Sequence, residues 1–90
     1  SGEYINPKVA VSPQEAFYSQ KKSVRIMDAV GAVSGEFVMC YPPGIPILAP
    51  GELITKEIAQ YIVYAKEKGC SMQGMEDPKV EYLQVLKGGI

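Results

Sequence analysis

The chain contains no histidine, no tryptophan, a single arginine (Arg25) and two cysteines. Each shortage removes a class of chemistry. Without histidine, Ser-His-Asp and Cys-His catalysis are excluded, and so are the usual zinc sites. Cys40 and Cys70 stand thirty residues apart. That spacing is not a zinc pattern, and two cysteines are too few for a disulfide framework, so free thiols in a reducing cytosol are the simpler reading. There is no Gly-rich phosphate loop ending in Lys-Ser/Thr and no G-x-G-x-x-G. No apolar run approaches the roughly 20 residues of a membrane span. The start, Ser1-Gly2-Glu3, lacks the basic-then-apolar order of a signal peptide. The expectation is a soluble, cytoplasmic chain with no membrane partner, no metal and no cofactor of its own.

What is present is ordinary globular composition: 90 residues, 47% hydrophobic and 21% charged. This length makes one domain, residues 1–90, which buries roughly 60–70% of the surface its unfolded form exposes. One modest core fits, but not a deep pocket walled on every side. Ten acids against nine bases leave a net charge of −1. A nucleic-acid partner calls for a basic face, and the Lys21, Lys22 and Arg25 cluster is too small to supply one. It reads as a solvated turn.

Along the chain, residues 3–11 read as extended. Ser12-Pro13-Gln14-Glu15 is a capping box with proline at the first helical position, predicting a short helix with Ala16 and Phe17 as its apolar face. Residues 24–27 read as a short strand. Asp28 is placed to cap a single turn ended by Gly31. Residues 36–40 contain β-branched Val38 and read as another strand. Thr55 is the expected cap of the main helix, from Lys56 to about Lys68, with an apolar stripe of Ile58, Tyr61, Ile62 and Ala65 and a left-handed stop at Gly69. Residues 70–79 read as a loop. Residues 80–86 read as a final strand with Val80, Tyr82 and Leu86 on one face against Glu81, Leu83 and Lys87 on the other. The fold class is α+β: a few short strands, one main helix, one short helix and a rigid Pro/Gly-rich connector.

That connector, Tyr41-Pro42-Pro43-Gly44-Ile45-Pro46-Ile47-Leu48-Ala49-Pro50-Gly51-Glu52, holds four of the seven prolines. Each proline fixes its own φ, removes an amide donor and pushes the residue before it to an extended conformation. The segment is therefore neither helix nor central strand. It also carries Ile45, Ile47 and Leu48, which call for burial against something. Glu36 and Glu52 flank special backbone and are chemically able to act as acid, base or cation ligand. Each also has a structural reading, such as Glu52 ending the turn before the helix. Cys40, inside an apolar run, reads as a small buried hydrophobe rather than a nucleophile.

In their order, the residues of 35–52 resemble the C-terminal domain of the pyridoxal-phosphate-dependent ornithine/lysine/arginine decarboxylases, where a Y-P-P-G-I/V-P block is followed by a short apolar spacer and P-G-E. The flanks are similar too: Ser12-Pro13-Gln14-Glu15-Ala16-Phe17, Asp28-Ala29-Val30-Gly31, Gly74-Met75-Glu76 and Val85-Leu86-Lys87. The resemblance runs from about residue 9 to residue 87. Half of its central twelve residues are Pro or Gly in a fixed order. The family's S-x-H-K segment, whose lysine bonds the cofactor, is absent. The resemblance thus implies a domain beside the catalytic core and active-site entrance. Pyridoxal phosphate and the chemistry belong to the full-length enzyme, and the 90 residues alone are expected to be inactive. It implies as partners the catalytic domains of the same enzyme, in a homodimer or higher assembly. Pro42, Pro43, Gly44, Pro46, Pro50 and Gly51 become its structural motif. Glu36, Tyr41 and Glu52 become candidate contacts for the basic tail of arginine, lysine or ornithine. A second reading stays open: a non-catalytic protein-interaction module that uses the same fold.

Overall fold

A computed structural model describes residues 7–41 and 44–88. Pro42 and Pro43, and the extended reading of residues 3–6, lie outside the described residues.

The first helix, α1 (Pro13–Tyr18), starts as the capping box requires. Ser12 has an extended backbone, and its Oγ accepts from the Glu15 amide at 3.1 Å. Only Ala16 of this helix is buried. Phe17 and Tyr18 are 72% and 77% exposed, so Phe17 does not join the apolar face expected of it. Six residues give less than two turns, and one inward position is all that such a length presents to a core.

Strand β1 (Lys21–Arg25) pairs antiparallel with the last strand, β5 (Tyr82–Leu86). This corrects two expectations. The basic cluster is a strand rather than a turn, and the strand ends at Arg25, after which residues Ile26–Ala29 form a 3₁₀ helix. Asp28 lies inside that helix rather than capping it. The lysines are tolerated because β1 is an outer strand. The Lys21 stem lies across Gly35, and its Nζ donates to the carbonyls of Phe17 and Ser19 at the end of α1. In β5 the buried residues are Leu83, Val85 and Leu86, with Tyr82 only half-buried. Of the face expected to turn inward, Leu86 is buried and Tyr82 is not, while Leu83, expected on the opposite face, is buried. Val80 has φ +57°, a left-handed conformation that ends any strand at a β-branched residue.

Strand β2 (Val38–Tyr41) is the centre of a second, three-stranded sheet. It lies between β3 (Ile45–Leu48) and β4 (Ser71–Gln73), antiparallel to both. β4 falls in the segment read as a loop; three polar-flanked residues carry too short an alternation to signal a strand. β3 does hold a proline, Pro46, and it is an edge strand, where a missing amide is affordable.

Helix α2 (Lys56–Glu67) is capped by Thr55, whose Oγ1 accepts from the Ile58 amide at 3.2 Å. It stops at Lys68 and Gly69, the latter at φ +82°. Ile58, Ala59, Ile62 and Ala65 are buried, and Tyr61 is half-buried beside them. They meet Val38, Cys40, Ile47 and Leu48 from the three-stranded sheet, Ile26 and Ala29 from the 3₁₀ helix, and Leu83 and Val85 from β5. A smaller cluster joins Ala16, Val33 and Leu86 under α1. Among the described residues, no helix is long and apolar enough to cross a membrane.

Candidate functional site

The Pro/Gly segment divides into two ends. At its far end, Pro50-Gly51-Glu52 ties three separate stretches of chain together. The Gly51 carbonyl accepts from the amides of Ala10 and Val11 at 2.9 and 3.0 Å. The Gly51 amide donates to Ser34, and the Ser34 amide donates to the Glu52 carbonyl, both at 2.8 Å. Gly51 is buried at φ +91°, and a Cβ there would stand 2.3 Å from the Val11 carbonyl oxygen. Only glycine satisfies both the left-handed backbone and that approach. Glu52 closes the same turn: its Oε1 accepts from the Ala49 amide at 2.9 Å.

At the near end the chain turns through Gly44, at φ +86°, whose amide donates to the Cys40 carbonyl at 2.9 Å. The Tyr41 ring lies over Gly44, close enough that a Cβ would stand 2.8 Å from it. Tyr41 is 40% exposed and Ile45 47%. Of the three apolar residues expected to pack, Ile47 and Leu48 do so and Ile45 does not.

Glu36 is joined to the Gly51-Glu52 turn through Ser34, and its own carboxylate reaches backbone elsewhere. Its Oε1 accepts from the Glu76 amide at 2.8 Å and its Oε2 from the Gln84 amide at 2.9 Å. Ser34 Oγ bridges the Glu36 amide and carbonyl from below. Burial pushes the Glu36 carboxyl above its ordinary range; the two amides oppose that push, and the nearby charges of Glu76 and Asp77 add to it. The carboxylate is a staple across 40 and 48 residues of sequence. Among the described residues, Ser34 and Glu36 are the buried polar ones, and no buried side-chain polar atom lacks a partner.

Sequence reading used Asp77-Pro78 only as a loop marker and gave the Asp77 side chain no role. Its carboxylate accepts from the amides of Lys79, Glu81 and Tyr82 at 2.9, 2.9 and 3.0 Å. It thereby shapes the turn that forces Val80 to positive φ and launches β5. Those amides, Glu81 first, hold the carboxyl below its ordinary range. The available signal was Asp77-Pro78, since aspartate ahead of a turn bonds the amides that follow it.

Both thiols are free. Cys40 is buried in β2, and Cys70 is half-buried just before β4. Burial, and then Cys70, push the Cys40 thiol up to about 11, so it stays protonated and unreactive at neutral pH. Among the described residues no group of three or more His, Cys, Asp or Glu is placed to hold a metal ion.

The sheet pair, the capped helix and the Pro-Gly-Glu knot define a small α+β domain of a particular family. Residues 3–80 match the family described as Orn/Lys/Arg decarboxylase, C-terminal domain, and the chain belongs to it. It is similar to the arginine decarboxylase of Bacillus anthracis, 44% identical over 81 residues, covering 90% of this chain and 16% of that protein. It is similar to the lysine decarboxylase of Hafnia alvei, 31% identical over 79 residues, covering 80% of this chain and 11% of that protein. Among solved structures, the constitutive lysine decarboxylase of E. coli superposes with a TM-score of 0.73 at 25% identity, over 96% of this chain and 14% of that one. The chain thus spans a small part of the length of the decarboxylases it matches.

The cofactor implied by that family needs a sheltered lysine amine and a cradle for its phosphate. Every lysine among the described residues is at the surface except Lys21, which is half-buried with its Nζ committed to two carbonyls. The described residues do not make a site that fits pyridoxal phosphate.

Proposed function

We propose that this chain is a structural domain of a cytoplasmic, pyridoxal-phosphate-dependent lyase that decarboxylates a basic amino acid in polyamine biosynthesis. It packs beside catalytic domains carried elsewhere in the polypeptide, which assembles as a homodimer or higher. The observation that carries the reading is the family match over residues 3–80, reinforced by the Pro-Gly-Glu turn, whose residues have a demonstrable mechanical task in this chain. Arginine is the substrate to assay first, because the arginine decarboxylases align at higher identity than the lysine decarboxylases.

Within the domain the proposed contacts to a basic substrate tail are Tyr41 and Glu52. Glu36 is the weaker candidate, because both its oxygens already accept from backbone amides. Glu52 commits Oε1 to Ala49, and a carboxylate has further lone pairs to offer an ammonium or guanidinium group.

The test is expression of the complete encoded protein and measurement of carbon dioxide release from arginine, lysine and ornithine. Release from one of the three supports the reading; release from none overturns it. The 90-residue chain, mixed with pyridoxal phosphate, is expected to give neither carbon dioxide release nor a change in the cofactor's visible absorption. A borohydride-trapped cofactor adduct on a lysine of this chain would refute that expectation.

A further inference from the structure

The three-stranded sheet has two faces of different character. On the inner face, Val38 and Cys40 of the central strand are buried against α2. The outer face is built by the alternate residues. Met39 and Tyr41 point outward together, with the Tyr41 hydroxyl 4.0 Å from Met39 Sδ, and Phe37 continues the alternation one residue before β2. Register places Pro46 of β3 directly opposite Met39, and places Gln73 and Ser71 of β4 opposite Met39 and Tyr41. Directly opposed residues share a face.

An antiparallel sheet with one solvated face ordinarily shows polar and charged residues there. This central strand shows Phe37, Met39 and Tyr41, with Phe37 54% and Tyr41 40% exposed, and none of the six outward residues is charged. A contiguous apolar stripe at the centre of a sheet face marks a docking surface rather than a water interface. The aromatics of α1 differ: Phe17 and Tyr18 are exposed beside Glu15, Lys21 and Lys22 on a short helix, an ordinary mixed surface.

We infer that the outer face formed by Phe37, Met39, Tyr41 and Pro46 is the surface on which the rest of the same decarboxylase polypeptide docks. This inference rests on the functional reading above. The occupant follows from two observations. The matched decarboxylases named above carry this domain as only 11–16% of their length, so a large partner is covalently tethered to it. Tethering lets a modest apolar face suffice, because docking becomes intramolecular. A second copy of this chain is disfavoured at the adjoining edge, where Pro46 removes an amide from the middle of β3 and blunts strand-to-strand pairing.

The experiment is hydroxyl-radical footprinting, read by mass spectrometry, of the complete encoded enzyme and of the 90-residue chain. In the complete enzyme, oxidation of Phe37, Met39 and Tyr41 is expected to fall about fivefold relative to the short chain, as when half-exposed side chains enter an interface core. Phe17 and Tyr18 should label alike in both. Equal labelling of Phe37, Met39 and Tyr41 in an enzyme that does release carbon dioxide overturns the docking surface and leaves the functional reading intact. Release from none of arginine, lysine and ornithine overturns the functional reading and this occupant with it. Concentration-dependent protection within the short chain alone assigns the face to a second copy and also overturns the inference.

Discussion

The two ends of the Pro/Gly segment are made of the same residue types and are used in opposite ways. Pro50-Gly51-Glu52 is woven into residues 10–11 and 34 by backbone hydrogen bonds, with Gly51 buried. Tyr41, Gly44 and Ile45 turn at the surface with apolar side chains partly exposed. Proline and glycine content is common to both ends. Burial is not, since it depends on which neighbours the sheet register brings. The contrast separates scaffold from surface within twelve residues: one end holds the domain together, and the other presents it.

The largest expected effect lies at the woven end. Gly51→Ala places a Cβ against the Val11 carbonyl and a side chain in left-handed backbone. Relief requires moving residues 10–12, so the cost is about 4 kcal/mol, enough to leave so small a domain largely unfolded. Urea unfolding followed by circular dichroism measures it. A Gly51→Ala domain as stable as the wild type would show that the knot is not what holds this end.

Leu48→Ala comes next. Leu48 is 1% exposed in the main core, and truncation should cost about 3 kcal/mol. Ile45→Ala, three residues earlier and 47% exposed, should cost well under about 1 kcal/mol. The pair of melting temperatures sharpens the contrast directly. Equal losses at the two positions would dissolve it.

Much of this was legible beforehand, for identifiable reasons. Ser12, Thr55 and Gly69 act through neighbours within four residues, so their caps can be read from spacing alone. The extended backbone at Ile45 followed from Pro46, but the connector's pairing as an edge strand over 45–48 did not. What escaped notice depends on partners far away in sequence. Lys21 and Lys22 form a strand only because β5 lies beside them, and the inward face of β5 is set by the pairing of Val24 with Leu83 and Lys22 with Val85. The staple role of Glu36 depends on amides 40 and 48 residues away. Spacing marked Glu36 as notable but gave no way to choose between a staple and a site.

The same contrast between local and distant bonding sets the smaller, pH-dependent effects. Glu36→Gln keeps one acceptor but turns an amide nitrogen toward a backbone N–H, at a cost of about 1–3 kcal/mol near neutral pH. Glu36 and Asp77 should also pull stability in opposite directions with pH. The folded Glu36 carboxyl lies above its unfolded range, chiefly through burial, so the native state holds the proton longer. Its contribution therefore declines as pH rises through the interval between the unfolded and the folded value. The folded Asp77 carboxyl lies below its unfolded range, chiefly through the Glu81 amide, so its contribution is present above the unfolded value and is lost as pH falls through the folded one. Comparing Glu36→Gln and Asp77→Asn with the wild type across the acid range should thus give slopes of opposite sign. Parallel slopes would mean that burial at Glu36 is outweighed by its two amides, making it as well solvated by backbone as Asp77.

The smallest stability effect belongs to the open end and to Glu52. Tyr41→Ser leaves the inner face of β2 untouched and should change the short chain's stability by no more than about 0.5 kcal/mol. Glu52→Gln retains an oxygen that can accept from the Ala49 amide, so the turn survives with a similarly small loss. What both substitutions should change is the complete enzyme: Tyr41→Ser by loosening the docked face, Glu52→Gln by raising KM for a cationic substrate while the melting temperature stays put. Unchanged KM in Glu52→Gln would make that carboxylate purely a turn-closing group. The woven end would then be scaffold throughout, leaving Tyr41 ahead of Glu36 among the proposed contacts with substrate.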